Sequence, residues 1–299
     1  MIDVQVSIII VNYNTTALTL QCIKSIRKMV LGIRYEIIVV DNHSSEGAVA
    51  LLASRKDITF IRNGENLGFG RGNNKGAECA KGKYFFFVNS DTYFVNDAAT
   101  ILHTFMEEKG NERVGCCGGM LLTSDGKKQA SYGNFPSVFG VLSEIGLYRL
   151  YRKRFTDRLS IAVKDGAVHV KEVDYITGAD FFVRSAVFRQ VGGFDPDFFL
   201  YFEETELAWR IRHAGFMSMW VPAARIVHLE GGSTTDTSGK WPLQKIRFFT
   251  QSRYLYFRKT TGRWALLAVK MLLSFQALMR WIYRRERYYF DVFRIIVTS

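Results

Sequence analysis

Proline is scarce in this 299-residue chain, with only 4, while phenylalanine (24) and tyrosine (14) are abundant. With 48% apolar residues as well, that balance excludes a disordered or low-complexity protein and leaves ample material for a core. Cysteine is also sparse. Cys22, Cys79, Cys116 and Cys117 form no C-x-x-C pair, and adjacent Cys116 and Cys117 are poorly placed to bridge each other. This usage fits a reducing compartment. No signal-peptide pattern opens the chain, which reads as starting directly in a strand, so a cytoplasmic location is expected. There is no internal repeat, and the length suits one large domain or two small ones.

Acidic residues nearly disappear from the last stretch. Residues 236–299 hold 13 Lys+Arg against 3 Asp+Glu, whereas 1–235 hold 27 against 25. The net charge of +12 therefore belongs almost entirely to the tail. An evenly basic surface would suggest nucleic acid, which is not an expected partner here. A basic tail rich in Trp, Tyr and Leu suggests an anionic membrane surface instead. Within 264–283, Lys270, Ser274, Gln276 and Arg280 fall on one arc at about 100° per residue, opposite Leu, Met, Phe, Ala and Trp. Arg284 and Arg287 continue the arc. These charges disfavour a spanning helix, so a helix lying in the membrane interface is expected, with Trp264, Trp281, Tyr283, Tyr288 and Tyr289 near headgroup depth. A helix packed on the protein's own core, or a dimer contact, is the competing reading.

Strand and helix patterns alternate through the first 90 residues. Buried-strand runs lie at 6–11, 36–40 and 84–88, with a short strand at 59–62. Helical spacing covers 16–29, a short helix is expected near 46–55, and a Gly/Asn-rich loop at 63–74 leads into a helix around 74–81. This alternation implies βαβ units and a mostly parallel sheet. Later, 115–122 and 173–184 read as strands, 202–214 as a helix, and 218–221 and 225–228 as two short strands. Residues 134–170 have no clear periodicity and read as a partly mobile insertion. From about 243 the chain reads as helical.

Several polar residues close buried strands, where open α/β sheets bind their ligands. Asn12, Tyr13 and Asn14 end the first strand, and Tyr13 is placed to stack on a base or simply to pack. Asp41 ends the second strand and can accept a hydrogen bond from a base imide or a ribose hydroxyl. A helix N-cap is the bland alternative, which Ser44 or Ser45 supplies equally well. Asn89-Ser90-Asp91 follows the fourth run, and a carboxylate there can hold a hard divalent cation that in turn holds a diphosphate, or cap a turn. Gly68-Phe69-Gly70-Arg71-Gly72-Asn73 invites a dinucleotide reading, but Asn73 stands where that pattern needs glycine. A flexible loop closing over a nucleoside diphosphate, with Arg71 available for phosphate, is the preferred reading. Glu203-Glu204-Thr205-Glu206 opens a helix behind an aromatic run, a semi-buried setting that raises a carboxylate toward a general base's range. Glu206 and Arg210 are spaced as an i,i+4 pair. His228 closes the run Ile226-Val227.

Together these segments resemble a known family. Val-Ser-Ile-Ile-Ile-Val-Asn-Tyr-Asn at 6–14, Val-Val-Asp-Asn at 39–42, Asn66-Leu67-Gly68-Phe69-Gly70 and Asn89-Ser90-Asp91 resemble the family-2 glycosyltransferases of the GT-A fold. Gly192-Gly193-Phe194-Asp195, the run from Phe198 to Glu204, and Val221-Pro222 with Val227-His228 look like the rhamnosyltransferase-like branch. The likeness covers roughly 4–235. It implies an α/β GT-A fold with a mostly parallel central sheet flanked by helices. Residues 1–115 would be a Rossmann-like nucleotide-sugar-binding half, 116–235 an acceptor and catalytic half, and 236–299 a helical extension. It assigns Asp41 to the donor nucleoside and Asp91 to a metal, Mg²⁺ or Mn²⁺, in a D-x-D pattern reduced to Asn89-Ser90-Asp91. His228 matches a further metal ligand. Glu203 and Glu204 match the acidic pair containing the catalytic base, with Glu204 preferred. Asp180, in Gly178-Ala179-Asp180, lies near the sugars. Asn12, Tyr13, Asn14, Asn66, Gly68, Phe69, Arg71, Asn73, Asn89 and Ser90 complete the donor side.

The activity so implied is inverting transfer of a sugar, rhamnose as first guess, from a dTDP- or UDP-sugar to a hydroxyl of a lipid-linked saccharide or polysaccharide in cell-envelope glycan synthesis. The enzyme would sit peripherally at the inner face of the cell membrane, as a monomer or an oligomer. Two competing functions are a non-catalytic nucleotide-sugar-binding protein on a degenerate GT-A fold, and a nicotinamide-dependent oxidoreductase resting on Gly68–Gly72.

Overall fold

The computed structural model describes residues 4–45, 47–146, 169–229 and 240–299. They divide into two compact units. The first comprises the described residues up to Gly133 with 169–197 and 203–229; the second comprises 134–146, 198–202 and 240–299.

The first unit begins β1 (Val6–Asn12), α1 (Thr16–Met29), β2 (Tyr35–Asp41), α2 (Val49–Ala53), β3 (Thr59–Arg62), α3 (Gly68–Cys79), β4 (Tyr84–Asn89) and β5 (Thr92–Phe94). β1 runs parallel between β2 and β4, with Asn12 opposite Asp41 and Val11 opposite Asn89. Strands so apolar on both faces need helices on both sides, and the βαβ crossovers supply them. One register therefore brings Asn12, Asp41 and Asn89 to the same carboxyl edge. β2 and β4 leave β1 in opposite directions, which makes this edge a topological switch point.

The chain continues through α4 (Ala98–Glu107), β6 (Val114–Leu122), β7 (Tyr132–Gly133), β8 (Lys171–Val173), β9 (Tyr175–Ile176), β10 (Asp180–Arg184), α6 (Ser185–Gln190), α7 (Glu203–His213) and β11 (Met217–His228), with α5 (Val138–Glu144) in the second unit. The sheet order is β3-β2-β1-β4-β10-β6-β11-β5, with β8 pairing β11. β10 is antiparallel to both β4 and β6, while β6 and β11 are parallel. The two short strands expected at 218–228 form one, β11, whose register breaks between Trp220 and Arg225. Pro222 sits in that break, where a ladder N–H is not required. Of the expected insertion at 134–170, α5 and residues to 146 are ordered, and 147–168 lie outside the described residues.

The Gly/Asn-rich stretch is not a loop. Helix α3 starts at Gly68, six residues earlier than expected, so Gly68–Asn73 are its first turns and not a flexible closing loop. The glycines serve close packing of helix on sheet. A Cβ at Gly76 would lie 2.5 Å from Ile9 Cγ2, and one at Gly72 would lie 3.1 Å from Val11 Cγ2. Aromatic rings fill the same core layer: Phe87, Phe188 and Phe194 pack with centroids 5.0–5.6 Å apart, mostly edge to face.

The second unit is helical, with α5, α8 (Leu243–Thr260), α9 (Arg263–Arg284) and α10 (Arg287–Thr298). Val141, Phe198, Tyr254, Tyr256, Phe257, Val269 and Leu273 form its core. Buried Arg253 is satisfied by both carboxylate oxygens of Glu144, each at 2.9 Å.

Helix propensity alone favours Ala over Gly by about 1 kcal/mol. Gly76→Ala is nonetheless expected to lower stability by about 1–2 kcal/mol, because the methyl overlaps fully buried Ile9. Urea unfolding should show a lower midpoint at unchanged slope.

Candidate active site

The edge formed by β1 and β2 is held by a buried polar network. Asn12 Nδ2 donates to Asp41 Oδ1 at 2.8 Å, and Ser44 donates to the same carboxylate through its hydroxyl (2.6 Å) and its backbone N–H (3.1 Å). Asn12 Oδ1 in turn accepts from Thr19 and Thr15. Asp41 is fully buried, with Arg62 Nε 3.6 Å from Oδ2 as its nearest cation. Burial on this scale is sustainable for a carboxylate that accepts several hydrogen bonds. Above the network, Asn14 adopts a left-handed conformation (φ 53°); its N–H donates to Ser44 Oγ and its side chain accepts from Ser45 N–H. Tyr13 projects outward, 47% exposed. Ser44 thus serves the strand edge as Asp41's principal partner.

Beside this network, Asn42 Nδ2 donates to the Gly68 carbonyl and Asn66 Oδ1 accepts from Gly68 N–H, so both tie down the start of α3. Phe69 and Gly68 therefore stand near the strand edge. Asn73 does not: it is buried and donates to the Phe69 carbonyl. The exposed Arg71 is held by its own chain, Nε donating to the Pro196 carbonyl at 2.7 Å.

At the end of β4 the turn Asn89-Ser90-Asp91 is pinned from both sides. Ser90 Oγ lies 2.9 Å from Thr15 Oγ1, and Thr92 Oγ1 donates to the Asn89 carbonyl. β5 pairs antiparallel with β11, setting His228 opposite Thr92, and Leu229 N–H donates to the Asp91 carbonyl. The pairing brings His228 Nε2 to 3.3 Å from both Asp91 Oδ1 and Asn89 Nδ2. Two neighbouring ligands at about 2.1 Å from one cation stand about 3 Å apart, so the carboxylate and imidazole suit a shared divalent ion. Among the described residues, no cluster of three or more His, Cys, Asp or Glu forms. This pair is therefore the candidate metal position, and Asn89 adds a neutral amide to it.

The acidic pair opens α7. The chain enters this helix through two residues with positive φ, Tyr201 (72°) and Phe202 (67°), a rare conformation for such side chains that turns the next residues sharply. Glu203 is buried, with Oε2 lacking a hydrogen-bond partner; burial, reinforced by the charge of Glu204, holds its carboxyl well above the usual range. Glu204 is half-buried, and loss of solvation pushes it up to about 7 against hydrogen bonds from its own N–H and from Thr205. Glu206, also buried, is bound bidentately by Arg210, 2.7 Å on each oxygen, and Arg210 also holds the carbonyls of Val191 and Gly193.

The segment Gly178-Ala179-Asp180 links the acidic pair to the turn after β4. A Cβ on Gly178 would meet the Phe69 ring at 3.3 Å and Glu204 Cβ at 3.9 Å, while the Ala179 carbonyl accepts from Asn89 N–H. Asp180 is fully buried beside Val88. Its Oδ2 accepts from Gly119 N–H at 2.6 Å, Oδ1 has no partner, and burial raises it well above the normal carboxylate range. Burial, and after it the charge of Glu204, raises the hydroxyl pKa of Tyr175, a residue the sequence did not single out. It occupies a two-residue strand in an irregular stretch, which gives no periodic signal.

Residues 7–170 match the glycosyl transferase family 2 domain. N-acetylglucosaminyl-diphospho-decaprenol L-rhamnosyltransferase of Mycobacterium tuberculosis is 24% identical over 249 residues, 76% of each chain. Rhamnosyltransferase WbbL of Escherichia coli is 26% identical, over 74% of this chain and 84% of the relative. The low-salt glycan biosynthesis hexosyltransferase Agl10 of Haloferax volcanii is 26% identical, over 84% and 73%. Among solved structures, GalNAc-T7 with UDP, GalNAc and Mn²⁺ superposes with a TM-score of 0.59 at 14% identity, covering 87% of this chain and 51% of that one, so this chain spans about half its length. Staphylococcus aureus TarS 1–349 with UDP gives 0.53 at 12% identity, covering 90% and 70%. The domain match spans more than half the sequence, and the chain belongs to glycosyl transferase family 2, with a GT-A fold.

Proposed function

We propose that this enzyme transfers a hexose, rhamnose being the first candidate, from a nucleoside diphosphate sugar (dTDP or UDP) to a hydroxyl of a lipid-linked or other cell-envelope glycan precursor, inverting the anomeric carbon. One observation carries the reading. A carboxylate poised near neutrality, Glu204, and a separate acid–imidazole pair, Asp91 and His228, are joined through Gly178–Asp180 at one sheet edge. Two relatives named as rhamnosyltransferases and one as a glycan hexosyltransferase support the sugar class. The decaprenol-linked name of one supports a lipid-linked acceptor.

An acceptor hydroxyl ionises far above neutral pH and needs a base within hydrogen-bond reach. Glu204 takes that proton. Glu203, buried beside it, stays protonated and keeps the pair to one charge. Asp180, which the resemblance places near the sugars, keeps a buried unpaired oxygen in the same segment. Tyr13 and Asn14 frame the nucleoside, over a floor set by Asp41, Asn12 and Ser44. A Mg²⁺ or Mn²⁺ ion on Asp91 and His228, completed by donor phosphates and water, would neutralise charge on the leaving diphosphate. The neighbour solved with UDP and Mn²⁺ supports that assignment.

Glu204→Gln is expected to lower kcat by about 10²–10⁴-fold with donor affinity unchanged in titration calorimetry; near wild-type transfer would place the base elsewhere. Glu203→Gln, which imitates the neutral acid, should retain activity within a few-fold. Only ionised Glu204 accepts a proton, so kcat/KM should rise with pH and level off above about 7. The same acids leave a mark on stability. Their folded pKa values exceed the unfolded ones, so the native state holds more protons, and stability should fall as pH rises from about 4.5 toward 7. Chemical denaturation across that range should show a shallower fall for Glu204→Gln. Asp91→Ala should weaken donor binding and remove its dependence on added Mn²⁺ or Mg²⁺; equal affinity with and without metal would refute the assignment.

A further inference from the structure

Helix α9 is inside out compared with an amphipathic helix facing water. Val269, Leu273 and Ala277 are its buried positions, and Lys270, Ser274 and Gln276 of the polar arc are partly covered. Lys270 sits over the Tyr254 ring at 4.7 Å, and Gln276 reaches the Glu144 carbonyl at 3.4 Å. The outward side is apolar. Trp264 (72% exposed), Leu267, Met271 (59%), Phe275 (60%), Met279 and Ile282 follow one another at helical steps. They make one exposed stripe about 27 Å long. Water does not favour a continuous apolar surface of this length without a partner.

The surroundings identify the partner by charge. No carboxylate occurs in α9, while exposed Arg263 stands at its start and Arg280, Arg284 and Arg285 toward its end. Arg280 and Arg284 line an open hollow of about 780 Å³ with Phe275, Met279, Tyr283 and Tyr289. The one carboxylate at its rim, Glu144, is bound by Arg253. Guanidiniums beside aromatic rings and an apolar stripe match the boundary between phosphate headgroups and acyl chains.

We propose that this face docks onto an anionic phospholipid bilayer. Helix α9 lies in the interfacial plane with its stripe in the acyl layer, and Arg280 and Arg284 hold a lipid phosphate in the hollow. The helix is long and apolar enough to cross a membrane, with a mean hydropathy of 1.4. Its inward side, however, packs against α5, α8 and α10, and Trp281 stacks on Phe290 and Phe293 of α10. A span would have to abandon that packing and place Lys270 in hydrocarbon. The surface lies wholly within the second unit and does not rest on the reading of the active site.

The test uses the full chain and vesicles of phosphatidylcholine, alone or mixed with phosphatidylglycerol, in a sedimentation assay. Binding to the anionic vesicles should be stronger on the order of tenfold or more and should weaken with salt. Met271→Glu with Phe275→Glu should abolish binding, and Arg280→Glu with Arg284→Glu should remove the preference for phosphatidylglycerol, both with wild-type thermal unfolding. In the unmutated chain, lipids brominated on their acyl chains should quench tryptophan fluorescence, and Trp264→Phe should remove most of that quenching. The proposal is overturned by equal binding to both compositions, by absence of quenching, or by membrane retention after alkaline carbonate, which would mean a span. Sedimentation as a dimer without vesicle binding would give the stripe to a second copy and overturn it equally.

Discussion

The parallel register of β1 between β2 and β4 is the constraint on which the candidate site depends. It aligns Asn12 with Asp41 and Val11 with Asn89, so three strand ends deliver polar groups to one edge. The hydrogen bonds from Asn12 and Ser44 to Asp41 then lock that edge from beneath. A slip of one residue would turn each of these side chains to the other face of a sheet buried on both sides. The glycines of α3 belong to the same constraint, because only a bare backbone lets the helix approach Ile9 and Val11 so closely.

Against this frame, the acidic side of the candidate site gathers buried carboxylates. Glu203 and Asp180 each bury a carboxylate oxygen without a partner, and Glu204, next to Glu203, has its pKa displaced toward neutrality. A chain selected only for stability would replace such groups. The third acid of the turn, Glu206, is paired instead with Arg210, which also clamps two carbonyls. Under the proposed function this displacement has a use, since a fully solvated glutamate is a weaker proton acceptor.

The second unit solves a different problem. Its aromatic core and the Arg253–Glu144 pair hold four helices, and the packing turns Lys270 and Gln276 of α9 inward. The side left outside is one that water does not favour, which ties the basic composition of the tail to a physical surface.

Strand runs, helix spacing and the polar residues closing each strand were legible in the sequence because they follow short-range periodicity. Val6–Asn12, Tyr35–Asp41 and Tyr84–Asn89 lie where alternation and apolar runs placed them, and Glu206 pairs with Arg210 as helical spacing requires. The start of α3 was not legible. Glycine locally signals a loop, and only the nearness of Ile9 reveals its use in packing. The meeting of Asp91 with His228, 137 positions apart in the numbering of this chain, was likewise decided by the pairing of β5 with β11. The sequence by itself determined which faces are apolar and which acids close the strands. Tertiary packing alone decided which carboxylates lose their solvent, which acid meets the imidazole of His228, and which side of α9 meets the outside, because each depends on groups that chain connectivity does not bring together.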